Sequence, residues 1–121
     1  MAKSILIVDD DEMVCMALTE LLKPEGYEID TVWNAKEALE RINKKRYNLL
    51  ILDIIMPEMN GLELCKKIRA NEDYNEIPIV FLTAKSRKED RELGIEAGAK
   101  LFLSKPISPD KLLKIISETL G

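Results

Sequence analysis

Short apolar runs and amphipathic stretches alternate five times through this chain, and no other feature restricts its fold so much. Ser4 to Val8 is rich in β-branched residues. After it, Glu12 to Leu22 carries Val14, Leu18, Leu21 and Leu22 at helical spacing, and Pro24 with Gly26 ends the element. Tyr27 to Val32 sets Tyr27, Ile29 and Thr31 against Glu28 and Asp30, the alternation of a half-exposed strand. Asn34, with Glu37 three residues on, opens a helix with Ala35, Ala38, Leu39 and Ile42 on one face. Leu49 to Leu52 is continuously apolar, Gly61 to Ala70 reads as a helix with Leu64, Cys65 and Ile68 inward, and Ile77 to Leu82 is apolar apart from Pro78. Ser86 and Glu89 have the spacing of a capping box, and Lys100 to Leu103 is a short strand. Ser108-Pro109 gives an N-cap and then proline at the first helical position, opening a helix expected to bury Leu112, Ile115, Ile116 and Leu120.

Strands separated by single helices cannot pair as hairpins, so the expectation is an α/β fold, a doubly wound (βα)5 unit with a parallel sheet and right-handed crossovers. Apolar strands belong in the middle of such a sheet and the alternating second strand at an edge. That is the flavodoxin-like order 2-1-3-4-5, with a crevice at the carboxyl ends of strands one and three. No Gly/Ser linker, low-complexity tract or repeat divides the 121 residues, so one domain over 1–121 is expected, with no output domain after the fifth helix.

Composition removes several chemistries. There are 0 histidines, which excludes imidazole base catalysis, a Ser-His-Asp triad, histidine metal ligation and a phosphohistidine on this chain. Cys15 and Cys65 form no C-x-x-C pair and read as small buried hydrophobes. With 18 basic and 22 acidic residues the net charge is −4, which argues against direct nucleic-acid binding. No apolar run approaches the roughly 20 residues of a membrane span, and the start Met-Ala-Lys-Ser lacks a signal-peptide core. A cytoplasmic protein with no membrane partner is expected.

The residues just after the strands carry the chemistry: Asp9-Asp10-Asp11 after the first, Asp53 after the third, Thr83 after the fourth and Lys105 after the fifth. Each alone has a bland explanation as a cap, a turn residue or a solvated charge. Strands one, three, four and five are neighbours in this sheet order, however, so their ends converge on one crevice. Carboxylates gathered there repel by about 4 kcal/mol per pair at about 4 Å and an effective dielectric of about 20, which favours a bound cation. Mg²⁺ fits, being a hard ion that takes a few carboxylates and completes its shell with water and phosphoryl oxygens. Asp9, Asp10 and Asp53 then supply the protein oxygens, and Asp53, alone at a central strand end, is the better nucleophile toward phosphorus. Lys105 and Thr83 are placed to hold phosphoryl oxygens, and Asp11 reads as a capping acid.

The run Ile5-Leu6-Ile7-Val8-Asp9-Asp10, the segment from Leu52 and Asp53 through Met56-Pro57 to Gly61, Leu82-Thr83-Ala84 and Ser104-Lys105-Pro106 together resemble response-regulator receiver domains of two-component signalling, the CheY-like family. The resemblance covers essentially the whole chain. It implies Asp53 as phosphoacceptor, Asp9 and Asp10 as Mg²⁺ acids, the Ile55 backbone carbonyl as a further metal ligand, Thr83 as the switch hydroxyl, and Lys105 as the phosphoryl-binding lysine with a cis bond to Pro106. Phe102 falls at the aromatic switch position, and an ordinary apolar strand residue is its other reading. The implied donor is a histidine kinase or a histidine phosphotransfer protein acting in trans. The implied output is a downstream protein target bound by the face of the fourth helix, fifth strand and fifth helix. Such a chain is a monomer, dimerising if at all on phosphorylation, and is no enzyme beyond its own phosphorylation and dephosphorylation. Apolar Ile55 and long Lys85 are expected to slow loss of the phosphoryl group, and an Ile55→Asn, Lys85→Glu variant that loses it more slowly than the parent counts against that.

Rival readings fare worse. A flavodoxin needs Ser, Thr or Gly donors for phosphate in its first loop, where Asp9-Asp10-Asp11 repels one. A haloacid-dehalogenase-like phosphatase wants a second acid where Ile55 stands. A phosphorylation-independent scaffold has no need of the complete acid, threonine and lysine set. The stretch Gly94 to Lys100 lacks P-loop spacing and a hydroxyl after its lysine.

Overall fold

The β-branched and leucine-rich runs form the strands of one parallel sheet in the computed structural model, which describes residues 2–121. In chain order the elements are β1 (Ser4–Val8), α1 (Glu12–Leu22), β2 (Glu28–Val32), α2 (Ala35–Lys44), β3 (Leu49–Leu52), α3 (Gly61–Arg69), β4 (Ile79–Thr83), α4 (Lys88–Glu96), β5 (Leu101–Ser104) and α5 (Pro109–Leu120). The strand order is β2-β1-β3-β4-β5, as the alternation of apolar runs predicts. Because side chains point alternately to opposite faces, each central strand feeds two cores. Leu6, Val8, Leu50, Leu52 and Phe81 pack with α2 and α3, whereas Ile5, Ile7, Leu49, Ile51, Val80 and Leu82 pack with α1 and α5. β2 is half exposed, as an edge strand should be.

The register brings the functional strand ends together. Val8 pairs with Leu52, so the residues that follow, Asp9 and Asp53, emerge side by side, with the Asp53 N–H donating to the Val8 carbonyl at 3.0 Å. Thr83 pairs with Ser104, and the Lys105 N–H donates to the Thr83 carbonyl at 2.9 Å. Helix starts follow their caps. Asp11 accepts from the Met13 N–H at 2.9 Å, Asn34 from Glu37 at 2.8 Å, Asn60 from Glu63 at 3.0 Å and Ser108 from Lys111 at 3.3 Å.

Some boundaries differ from expectation. Pro78 stays outside β4, since it has no N–H to give the ladder, although its carbonyl accepts from the Leu50 N–H at 3.0 Å. The capping box expected at Ser86 and Glu89 lies one residue later: Arg87 is the N-cap, and its N–H donates to the buried Asp90 carboxylate at 3.1 Å. In this helix Leu93 is exposed, while Gly94 and Ala97 lie against the core. In α5, Leu112 and Ile116 are buried and Leu113 and Leu120 pack on the core's edge, while Ile115 is left half exposed. Among the described residues no helix is long and apolar enough to cross a membrane.

Candidate functional site

Asp9 leaves β1 almost fully buried, at 3% exposure, and both its oxygens are engaged. Oδ1 accepts from the Asp11 N–H at 2.9 Å and Oδ2 from the Lys105 ammonium at 2.7 Å. Asp53, 8% exposed, accepts from the Ile54 N–H at 2.6 Å on Oδ1 and from the same ammonium at 2.9 Å on Oδ2. Lys105, delivered by β5 and joined to Pro106 by a cis peptide, therefore bridges the two carboxylates. The exposed Asp10 completes the group: one oxygen from each of Asp9, Asp10 and Asp53 lies within 4.8 Å of the others. Among the described residues no cationic side chain pairs with Asp10.

Three carboxylates against one ammonium leave two negative charges uncompensated, the deficit a divalent cation would fill. All donors are hard oxygens, which suits Mg²⁺ and not a thiophilic metal. Burial holds the Asp9 carboxyl above the usual carboxylate range, against the opposing hydrogen bond from Lys105. Burial also works to lower the Lys105 pKa, yet its hydrogen bonds to Asp9 and Asp53 prevail and the ammonium is held more firmly than usual. Cys15, whose thiol donates to the Asp9 carbonyl at 3.4 Å, is pushed up to about 11 by burial and is a neutral filler, as its spacing suggests.

The loop after β3 shows why the segment ends in glycine. A Cβ at Gly61 would overlap the Asp53 carbonyl oxygen, and the Gly61 N–H donates to the Ile54 carbonyl at 2.8 Å. Helix α3 thus starts in contact with the backbone of Asp53. Ile54 and Met56 are buried beneath this loop, Ile55 is 59% exposed, and Glu58 adopts a left-handed φ of 68°. Thr83 is fully buried, its hydroxyl accepting from the Lys85 N–H at 3.2 Å. The Lys85 side chain runs toward α4, 3.9 Å from Asp90. Phe102 points inward at 8% exposure and packs on Phe81, with ring centroids 5.9 Å apart. The structure so brings Asp9, Asp10, Asp53 and Lys105 together, and sets Thr83 and Phe102 on the two neighbouring strands. Sequence reasoning missed Asp90, Arg91 and Gly94, whose contacts with the β4–α4 loop and β5 carry no motif.

A model of the response regulator receiver domain matches residues 5–117. The chain belongs to that family. It is similar to the alkaline phosphatase synthesis transcriptional regulatory protein PhoP of Bacillus subtilis, 38% identical over 109 residues covering 90% of this chain and 45% of that protein. It is also similar to the DNA-binding response regulator MtrA of Mycobacterium tuberculosis, 37% identical over 113 residues covering 93% of this chain and 48% of that protein. The receiver thus spans about half the length of the curated relatives it matches. Chemotaxis protein CheY4 of Vibrio cholerae has the same fold throughout, with a TM-score of 0.94, 33% identity, and coverage of 98% of this chain and 99% of that one. The five-stranded order 2-1-3-4-5 is therefore the CheY-like arrangement, and the chain is a response regulator receiver domain of two-component systems. MtrA is DNA-binding by name, which narrows the expectation of no direct nucleic-acid contact: the charge argument behind it concerns only the stretch these relatives share with this chain.

Proposed function

We propose that this receiver takes a phosphoryl group onto Asp53 from a phosphohistidine of a histidine kinase or histidine phosphotransfer protein. The observation that carries the reading is the single ammonium of Lys105 held at 2.7 Å from Asp9 and 2.9 Å from Asp53. A carboxylate oxygen of Asp53 forms the new O–P bond as the donor's N–P bond breaks, and the electron pair leaves with the imidazole nitrogen. Lys105 then holds a transferred phosphoryl oxygen in place of the carboxylate contact it makes before reaction. Asp9, Asp10, Asp53 and the Ile55 carbonyl would hold Mg²⁺, which supplies positive charge to the phosphoryl oxygens. The phosphohistidine lies outside these 121 residues, which hold 0 histidines. The shape of the region agrees. A surface groove of about 610 Å³ lies between α2 and the β3–α3 loop, lined by Leu39, Pro57 and Met59 and by none of Asp9, Asp10 and Asp53. A charged strand-end edge outside that groove suits a reactant presented on a macromolecule rather than a small substrate needing enclosure.

Once Asp53 is phosphorylated, its phosphoryl group draws the Thr83 hydroxyl away from the Lys85 N–H, Phe102 fills the space that Thr83 vacates, and the α4–β5–α5 face changes its affinity for a downstream protein target. Water later cleaves the acyl phosphate, so the domain resets itself without turning over a free substrate. It acts in the cytoplasm, as a monomer before phosphorylation. Two other readings use the same residues: a phosphorylation-independent scaffold and a Mg²⁺-dependent aspartyl-phosphate phosphatase.

Incubation with Mg²⁺ and acetyl phosphate, followed by intact mass and by fluorescence of Trp33, the only tryptophan, separates them. One Mg²⁺-dependent phosphoryl group, removed by hydroxylamine and absent in Asp53→Ala, is expected. No adduct with steady phosphate release is the phosphatase outcome, and neither adduct nor turnover is the scaffold outcome.

A further inference from the structure

Resting on the phosphoryl-receiver reading, we infer that Asp90 of α4 is a positioning residue that holds the Lys85 ammonium off the acidic edge and so shortens the life of a phosphoryl group on Asp53. Asp90 is buried and divides its two oxygens between two tasks. Oδ2 accepts from the Arg87 N–H at 3.1 Å, and Oδ1 stands 3.9 Å from Lys85 Nζ. Starting the helix takes only an acceptor, so the cap leaves the negative charge of Asp90 turned toward the lysine. Arg91, the next cation along α4, is committed to the Ser104 hydroxyl at 2.9 Å and to the Phe102 ring. Among the described residues Lys85 is therefore the cation that answers Asp90.

Lys85 is otherwise loosely held. It stands two residues beyond Thr83, on a strand whose neighbour ends at Asp53, and its side chain is half exposed. A surface hollow of about 520 Å³, lined by Ala84, Lys85, Ser86, Arg87, Glu89 and Asp90, gives its four-carbon stem room to swing. The Lys85 N–H is tied to the Thr83 hydroxyl at 3.2 Å. When that hydroxyl turns to the phosphoryl group, Asp90 is the tie that remains. A lysine swung back over the strand ends would add a second ammonium to the phosphoryl oxygens and lay its stem across the approach of water. In hydrolysis the water oxygen bonds to phosphorus and the Asp53 O–P bond breaks. Its electron pair returns to the carboxylate, and both water protons leave with the phosphate. Asp90 carries no proton in this step; it limits the slowing expected of a long Lys85 by fixing where the ammonium sits.

The full chain is phosphorylated with acetyl phosphate and Mg²⁺, the donor is removed, and the decay of the phosphorylated species is followed by intact mass. Asp90→Asn keeps a carbonyl oxygen for the Arg87 N–H but no charge for Lys85. It is expected to lengthen the half-life about two- to fivefold, the range of one partly exposed ion pair. In a Lys85→Met background the same substitution should leave the half-life unaltered, whereas a purely structural effect of the cap would appear in both backgrounds. Asp90→Glu, which keeps the charge, should stay near the parent. Asp90→Ser, again an acceptor without a charge, takes the place of Asp90→Asn if that variant does not fold. An unchanged or shorter half-life in Asp90→Asn, or an equal lengthening in both backgrounds, overturns the inference and leaves the receiver chemistry standing. A parent protein that takes up no phosphoryl group refutes the receiver reading itself, and the inference with it.

Discussion

Two aspartates on adjacent strands are treated in opposite ways. Asp30 of β2 is drawn into a complete set of donors: Tyr47 Oη at 2.6 Å, Lys45 at 3.0 Å and Arg41 at 3.6 Å all meet its Oδ2. Partial burial works to raise its pKa, but the Tyr47 and Lys45 hydrogen bonds more than offset this, and the carboxyl is held below its usual range. Asp9, one strand away, shares a single ammonium with Asp53, and burial leaves its carboxyl above the usual range. The first aspartate stabilises the fold; the second is a charge kept partly unanswered at the edge where a cation or a phosphoryl group can answer it. Stability and reactivity are thus drawn from the same residue type by the number of donors around it.

The contrast breaks most completely at Lys105. Lys105→Met leaves Asp9 and Asp53 buried without a counter-charge, and unfolding in urea with a chelator should show a loss of about 3 kcal/mol, as for other severed buried pairs. Mg²⁺ should recover part of that loss, since it answers the same carboxylates, whereas acyl-phosphate formation should not recover. At the other aspartate, Tyr47→Phe removes one donor from a charged acceptor and should cost about 2 kcal/mol in the same assay while leaving Asp53 phosphorylation unchanged. Acid titration sharpens this further. Because the folded-state pKa of Asp30 lies below its unfolded value, its contribution is present above about pH 4 and is lost as pH falls through the folded value. Asp30→Asn should therefore flatten the decline of stability below about pH 4. Smallest of all, Asp10→Asn relieves repulsion at the acidic edge and should stabilise the metal-free protein by about 0.5 kcal/mol, while abolishing most of the stabilisation that added Mg²⁺ gives the parent.

The acidic edge was legible in the sequence because its members stand immediately after apolar runs, and a parallel sheet converts that position into neighbourhood. Asp9, Asp53 and Lys105 needed no knowledge of side-chain conformation. Asp30 did. It sits in an alternating strand whose polar residues read as solvent-facing, and its partner Tyr47 lies 17 residues away in a connection without periodicity. Arg69 was equally hidden, since a basic residue in a helix's last turn reads as solvated. Its guanidinium instead reaches the backbone carbonyls of Gly98 at 2.9 Å, Tyr74 at 2.6 Å and Ile77 at 2.5 Å, acceptors that leave no mark in the sequence. The one-residue shift at the start of α4 has a similar origin. Ser86 and Glu89 fit the pattern, but Asp90 is the acid that can be buried against the loop.

The reach of Lys105 also ties chemistry to completeness of the chain. Its ammonium meets Asp9 across 96 positions of sequence and Asp53 across 52, so both contacts close only after β5 has joined the sheet. β1 and β3 carry the acids, whereas their counter-ion follows the last strand. The lysine is thus the last of the four charged groups along the chain to arrive, and without the strand that delivers it the three carboxylates would face one another with no ammonium between them.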